Sequence, residues 1–169
     1  MLVVTLLVVI AVSEVRRRNR AGDPTPAPSA SIVASLVKTG TGYAYQTSPV
    51  TKDFVLQVEL TNFNHVPVQV QAAATPEYPG FGRLVVAVLP GHYDSQAPAG
   101  DALETAARTP VTLGSEEPAQ LAIAGRVACD APMISHNEMD ILVDGKETTV
   151  AIPPVDGRNW AEGIRRDLC

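Results

Sequence analysis

Residues 120–129 read Gln-Leu-Ala-Ile-Ala-Gly-Arg-Val-Ala-Cys. In an extended chain Leu121, Ile123, Val127 and Cys129 share one face, while Gln120, Arg126 and the following Asp130 share the other. Side chains alternate across a strand with period two, so this is a half-buried strand whose inner face ends in a cysteine. The second cysteine is Cys169, the last residue. A bond between the two would tie everything after residue 129 back onto this strand. The rest of the chain must then supply a sheet for the strand to join.

The same period recurs on both sides. Phe54, Leu56, Val58 and Leu60 alternate with Val55, Gln57, Glu59 and Thr61, the clearest amphipathic strand of the chain. Val66, Val68 and Val70 alternate with Pro67, Gln69 and Gln71. Pro67 lacks an N–H and so confines the start of that strand to an edge. Residues 31–37 read as a first strand, and the turn-rich 39–49 segment places Tyr43 and Tyr45 on one side of a short one. Residues 83–89, Arg-Leu-Val-Val-Ala-Val-Leu, are apolar on both faces, which predicts a central strand covered on both sides. Downstream, residues 138–143 and 146–152 flank Asp144-Gly145, a two-residue turn signal in which both positions need positive φ. That turn sets Val143 opposite Lys146, Ile141 opposite Thr148 and Met139 opposite Val150, with this face turned to the core.

Between Pro90 and Pro118 the alternation lapses. A gap that long in a compact domain is often where function resides. Within it Asp101-Ala-Leu-Glu104 has the spacing of a capping box and predicts one short helix. Asn159-Trp-Ala-Glu162 repeats that spacing after Pro153-Pro154. Trp160, Ile164 and Leu168 then share a helical face, with Arg165 and Arg166 near the end where the helix dipole favours cations.

A chain of 169 residues with 46% apolar content holds one core plus a tail. Fourteen prolines and twelve glycines, against one Trp, four Tyr and three Phe, favour short strands over long helices. The expected class is all-β: an immunoglobulin-like two-sheet sandwich of about seven strands over residues 31–169, closed by a short C-terminal helix. From residue 31 onward nine basic residues face sixteen acidic ones, which excludes a nucleic-acid partner, since phosphate contacts need clustered Lys and Arg.

Residues 2–12, Leu-Val-Val-Thr-Leu-Leu-Val-Val-Ile-Ala-Val, form an apolar run that has no place on the surface of a soluble domain. Residues 1–15 therefore read as a hydrophobic helical anchor or signal segment. Eleven helical residues span about 17 Å, short of the roughly 30 Å of hydrocarbon in a bilayer. No basic residue precedes the run and Arg16, Arg17, Arg18 and Arg20 follow it, opposite to a signal peptide. The expectation is a longer segment whose start lies upstream of Met1, with a short reverse-oriented anchor as the alternative. Residues 16–30 are a basic, Pro/Ala-rich linker, extended like polyproline II. Taken literally, those arginines would keep the domain in the cytoplasm; a start upstream of Met1 and the cysteine pair place it instead at the cell membrane, outside the cytoplasm. Two cysteines in such a chain suit an oxidising compartment and read as a disulfide, the alternative being two unpaired thiols.

The N-terminal apolar segment, the Pro/Ala spacer, the run LQVELTNFNHVPVQV, the block LAIAGRVACD and the terminal Trp-to-Cys ending resemble a loose group of uncharacterised actinobacterial proteins, membrane-anchored or secreted. The resemblance implies a small β-sandwich with one cysteine after a late strand and another at the C-terminus. It implies no catalytic residues.

His65, His92 and His136 each fall in a predicted loop, and no nucleophile motif accompanies them. Asp130, His136, Glu138 and Asp140 cluster in sequence but lack the spacing of a calcium loop, and read as a solvent face instead of a metal site. There is no glycine-rich phosphate loop, paired-cysteine motif or zinc-protease motif, so no cofactor is expected. Exposed aromatics offer another chemistry. Tyr43, Tyr45, Tyr78, Phe81 and Tyr93 lie in turn-rich segments and, clustered at one end of a sandwich, would make a recognition surface; the alternative is that they cover the ends of the core. The expected function is a non-catalytic module that binds a protein or a cell-envelope component. The alternative is a small-ligand-binding or hydrolytic domain using Asp94, Asp101 and Asp130 with His92 or His136.

Overall fold

The computed structural model describes residues 36–74, 77–92, 100–133 and 137–169. The apolar segment and the linker, residues 1–30, lie outside the described residues, as do residues 31–35 of the expected first strand. Among the described residues no helix is long and apolar enough to cross a membrane.

The described residues form eight strands and two helices in order: β1 (Val37–Ser48), β2 (Asp53–Asn62), β3 (Val68–Ala72), β4 (Phe81–Pro90), α1 (Gly100–Ala107), β5 (Val111–Leu113), β6 (Pro118–Val127), β7 (Glu138–Val143), β8 (Lys146–Ala151) and α2 (Trp160–Leu168). They form two antiparallel four-stranded sheets, β1-β2-β6-β4 and β5-β3-β7-β8. Their inner faces supply one core. Phe54, Leu56, Val58 and Leu60 are all buried in it, as their alternation requires. The Asp144-Gly145 turn has φ of 49° and 74°, and the predicted pairing of Val143 with Lys146, Ile141 with Thr148 and Met139 with Val150 is the observed one.

Several expectations change. Tyr43 and Tyr45 do not sit on a separate short strand. β1 runs through them, its register with β2 shifting between Thr39 and Tyr43, which a Gly-Thr-Gly insertion accommodates. Val66 lies before β3 and is exposed, because Pro67 delays the ladder until Val68. β6 stops at Val127, so Cys129 occupies the turn beyond the strand. β4 is indeed covered on both faces, yet it is an edge strand. Its outer cover is α1, which the lapse in alternation after Pro90 conceals. Leu103 of that helix packs on Ala87 of β4 and Ala122 of β6, where small side chains leave room for a leucine. Burying Leu103 contributes about 1.5–3 kcal/mol.

The sandwich has two distinct poles. At the start of β2 and the end of β6, α2 closes the core, its Trp160 stacked on Phe81 at 5.4 Å and tilted against Phe54 at 6.4 Å. Asn159 caps this helix by accepting from the Ala161 N–H. Cys129 and Cys169 are disulfide-bonded, with Cα atoms 5.7 Å apart. Ten residues of β2, at roughly 3.3 Å each, put the opposite pole about 30 Å away. There β2 ends at Asn62, β1 begins, and Leu36 is the first described residue.

Candidate functional site

The outer face of the β1-β2-β6-β4 sheet is organised in rows that its register dictates. Val55, Ala124 and Val85 are neighbours across β2, β6 and β4, and the next row toward the α2 pole is Asp53, Arg126 and Arg83. With Leu103 and Glu104 of α1 alongside, these rows line a groove of about 590 Å3. Its floor is apolar and its rim is charged.

The rim follows from charge pairing. Arg126 and Arg83 are direct cross-strand partners, and like charges so placed are destabilising. Each has its own carboxylate. Arg126 donates through Nε to Asp53 Oδ1 at 2.8 Å, and Arg83 pairs with Glu104 of α1. The Arg126 guanidinium holds the Asp53 carboxyl below the usual carboxylate range and is itself pushed up by it, so both stay ionised. A row of two ion pairs, carboxylate–arginine–arginine–carboxylate, therefore crosses from β2 to the helix, with the arginines at its centre and a carboxylate at each end.

β4 carries a bulge in this row, with its register against β6 shifting between Phe81 and Arg83. The extra residue lets Phe81 and Leu84 both face inward while Arg83 faces out. It also brings the β4 backbone against β6: a Cβ on Gly125 would lie 2.4 Å from the Arg83 carbonyl oxygen. Only glycine fits there. A glycine inside an apolar strand pattern marks such an approach, and is the one sequence signal that could have located the groove.

The aromatic residues read from the sequence divide between two places. Tyr78 and Phe81 surround Trp160, at 6.2 and 5.4 Å between ring centroids, and Tyr78 donates to the Glu138 carbonyl oxygen. Tyr43 and Tyr45 stand 6.0 Å apart on β1 and donate to Asp156 and Asp167. All four pack partly buried against the core. Tyr93 lies outside the described residues. Of the ionisable candidates, Asp94 and His136 also lie outside them, Asp101 is in the first turn of α1, and Asp140 accepts from Thr149. Asp130, Glu138 and His65 are exposed. His92 Nδ1 meets Glu59 Oε2 at 3.2 Å on the surface. Among the described residues no three His, Cys, Asp or Glu side chains gather as a metal site would require.

The Tyr45–Asp167 contact makes stability depend on pH in both directions. The hydrogen bond to Asp167 pushes the Tyr45 phenol up to about 12 and holds the Asp167 carboxyl below its ordinary value. The tyrosine's contribution is complete below its unfolded pKa near 10 and lost as pH rises toward 12. The aspartate's contribution is present above the ordinary carboxylate pKa and lost as pH falls through its lowered one. Tyr45→Phe is expected to flatten both limbs of a thermal-midpoint profile relative to wild type. Parallel profiles for the two proteins would refute this.

No family model, curated protein or solved structure matches this chain.

Proposed function

We propose that this protein is a membrane-anchored, extracytoplasmic interaction module of immunoglobulin-like fold, without catalytic activity, which binds a protein or cell-envelope component through the groove beside α1. The strand order supports the fold reading. β1, β2, β6 and β4 in one sheet with β3, β7 and β8 in the other follow the constant-type immunoglobulin arrangement, and β5 is an added edge strand. Both β5 and α1 come from the single connection between β4 and β6, so the connection that departs from the basic sandwich also builds one wall of the groove.

The observation that carries the function is the groove's composition: Val55, Val85, Ala124 and Leu103 beneath a rim of Asp53, Arg126, Arg83 and Glu104. An apolar side chain of a partner fits the floor, and the paired rim charges orient what flanks it. Among the described residues no histidine, serine or cysteine lines it. Anchoring and compartment rest on the apolar run at residues 2–12 and on the disulfide, which suits an oxidising environment. A volume near 590 Å3 also lies in the range of small-molecule sites, which favours a small-ligand carrier as the second reading.

A photocrosslinking amino acid placed at Val55 in intact cells is expected to give one discrete product. The same group at Glu147, exposed on β8 of the other sheet, is expected to give none. Equal labelling from both positions, or none from Val55, would remove the groove as the recognition surface.

A further inference from the structure

Three apolar side chains stand out of the surface at the pole opposite the groove. Leu36, Phe63 and Val66 are 39%, 52% and 62% exposed. Scattered surface hydrophobics are ordinary, but these are held together by a built loop. The Phe63 N–H donates to the Leu36 carbonyl at 3.1 Å. Asn62, fully buried, donates through Nδ2 to the carbonyls of Val66, Leu113 and Gly114 at 3.0, 3.1 and 3.1 Å. Its Oδ1 accepts from the backbone and side chain of Asn64 at 2.9 and 2.7 Å. The amide thus fixes the loop and leaves Phe63 and Val66 pointing away from the core. Because the loop is ordered in advance, little conformational entropy is lost when these side chains meet a partner.

We propose that this pole is a lipid-contacting surface, with Leu36, Phe63 and Val66 entering the interface of the bilayer that holds residues 2–12. The proposal rests on the anchoring reading above. Chain continuity names the occupant: residues 1–35 join the domain at Leu36, within one hydrogen bond of Phe63. The charges at this pole are mixed. Glu116, whose N–H donates to the Asn62 carbonyl, and Glu117 lie beside Lys38 and His65. Attraction to anionic head groups is therefore not the driving force, and burial of apolar surface in a zwitterionic interface is. Contact here turns the groove away from the membrane.

The test uses the full chain reconstituted in phosphatidylcholine vesicles with brominated acyl chains, which quench tryptophan only at bilayer depth. Trp160 is buried in the core and supplies a constant background. Phe63→Trp and Val66→Trp add a reporter at the proposed surface. Val50→Trp adds one at the other pole, where Val50 is 92% exposed between β1 and β2. Quenching of the reporters at 63 and 66, with none at 50, is the expected result. Quenching at 50 overturns the proposal. So does a chain that floats with the vesicles while none of the three reporters is quenched, and that outcome leaves the anchoring reading standing. A chain that fails to float overturns both. A concentration-dependent dimer that shields the reporter at 63 without quenching assigns the surface to a second copy, and also overturns the proposal.

Discussion

Replacing Cys169 by serine is expected to destabilise the folded domain by about 4 kcal/mol and to free α2 before any strand opens. The bond closes a loop with a sequence separation of 40, and a loop of that length removes much of the freedom of the unfolded chain. On the folded side, α2 meets the body through few polar ties besides the Tyr45–Asp167 hydrogen bond. Lys52 Nζ donates to the Leu168 carbonyl at 2.6 Å, and Arg165 donates to the carbonyls of Cys129 and Ala131. Pro153 and Pro154 separate the helix from β8, so its release leaves the ladders intact. Urea unfolding should show the lower stability. Limited trypsin digestion should cut first after Arg158, Arg165 or Arg166. An unchanged midpoint, or first cleavage within a strand, would show that packing alone holds the helix.

Trp160→Ala should cost as much, about 3–5 kcal/mol, because the indole fills the end of the core among Phe54, Tyr78 and Phe81. Trp160→Phe should cost much less than its lost volume implies. The indole Nε1 is buried without a hydrogen-bond partner among the described residues, and an unsatisfied buried donor carries a penalty of about 1–3 kcal/mol. Phenylalanine keeps most of the ring contact and has no donor to strand. Equilibrium unfolding of the three proteins decides it: a phenylalanine variant as damaged as the alanine variant would mean that the N–H is satisfied or that shape dominates.

Local patterns in the sequence carried much of this fold. The Asp144-Gly145 turn determined a hairpin register residue by residue, because its φ requirement admits few alternatives. The Phe54–Leu60 alternation and the Trp160, Ile164 and Leu168 stripe found the core for the same reason: burial follows period. The groove was not legible. Its floor comes from Val55, Val85, Ala124 and Leu103, on four elements far apart in sequence, and each reads alone as an ordinary strand or helix residue. Bulges added to the difficulty. The extra residue near Gly82 reverses the parity of β4, so Phe81 and Leu84 face the same way although three positions separate them. The burial of Asn62 depends on carbonyls at Leu113 and Gly114 that no local pattern announces.

The separation of the two poles also decides how the domain bears load. In the proposed arrangement the tether joins at the first residue of β1, and a partner in the groove would hold β2, β6 and β4 at the other end. β1 and β2 are antiparallel neighbours, so a pull between membrane and partner slides one strand along the other. In that direction the hydrogen bonds of the ladder are strained together, in shear, instead of being unzipped one at a time. A domain loaded this way yields only when the whole β1–β2 ladder gives way, which suits a link between a membrane and something fixed outside it.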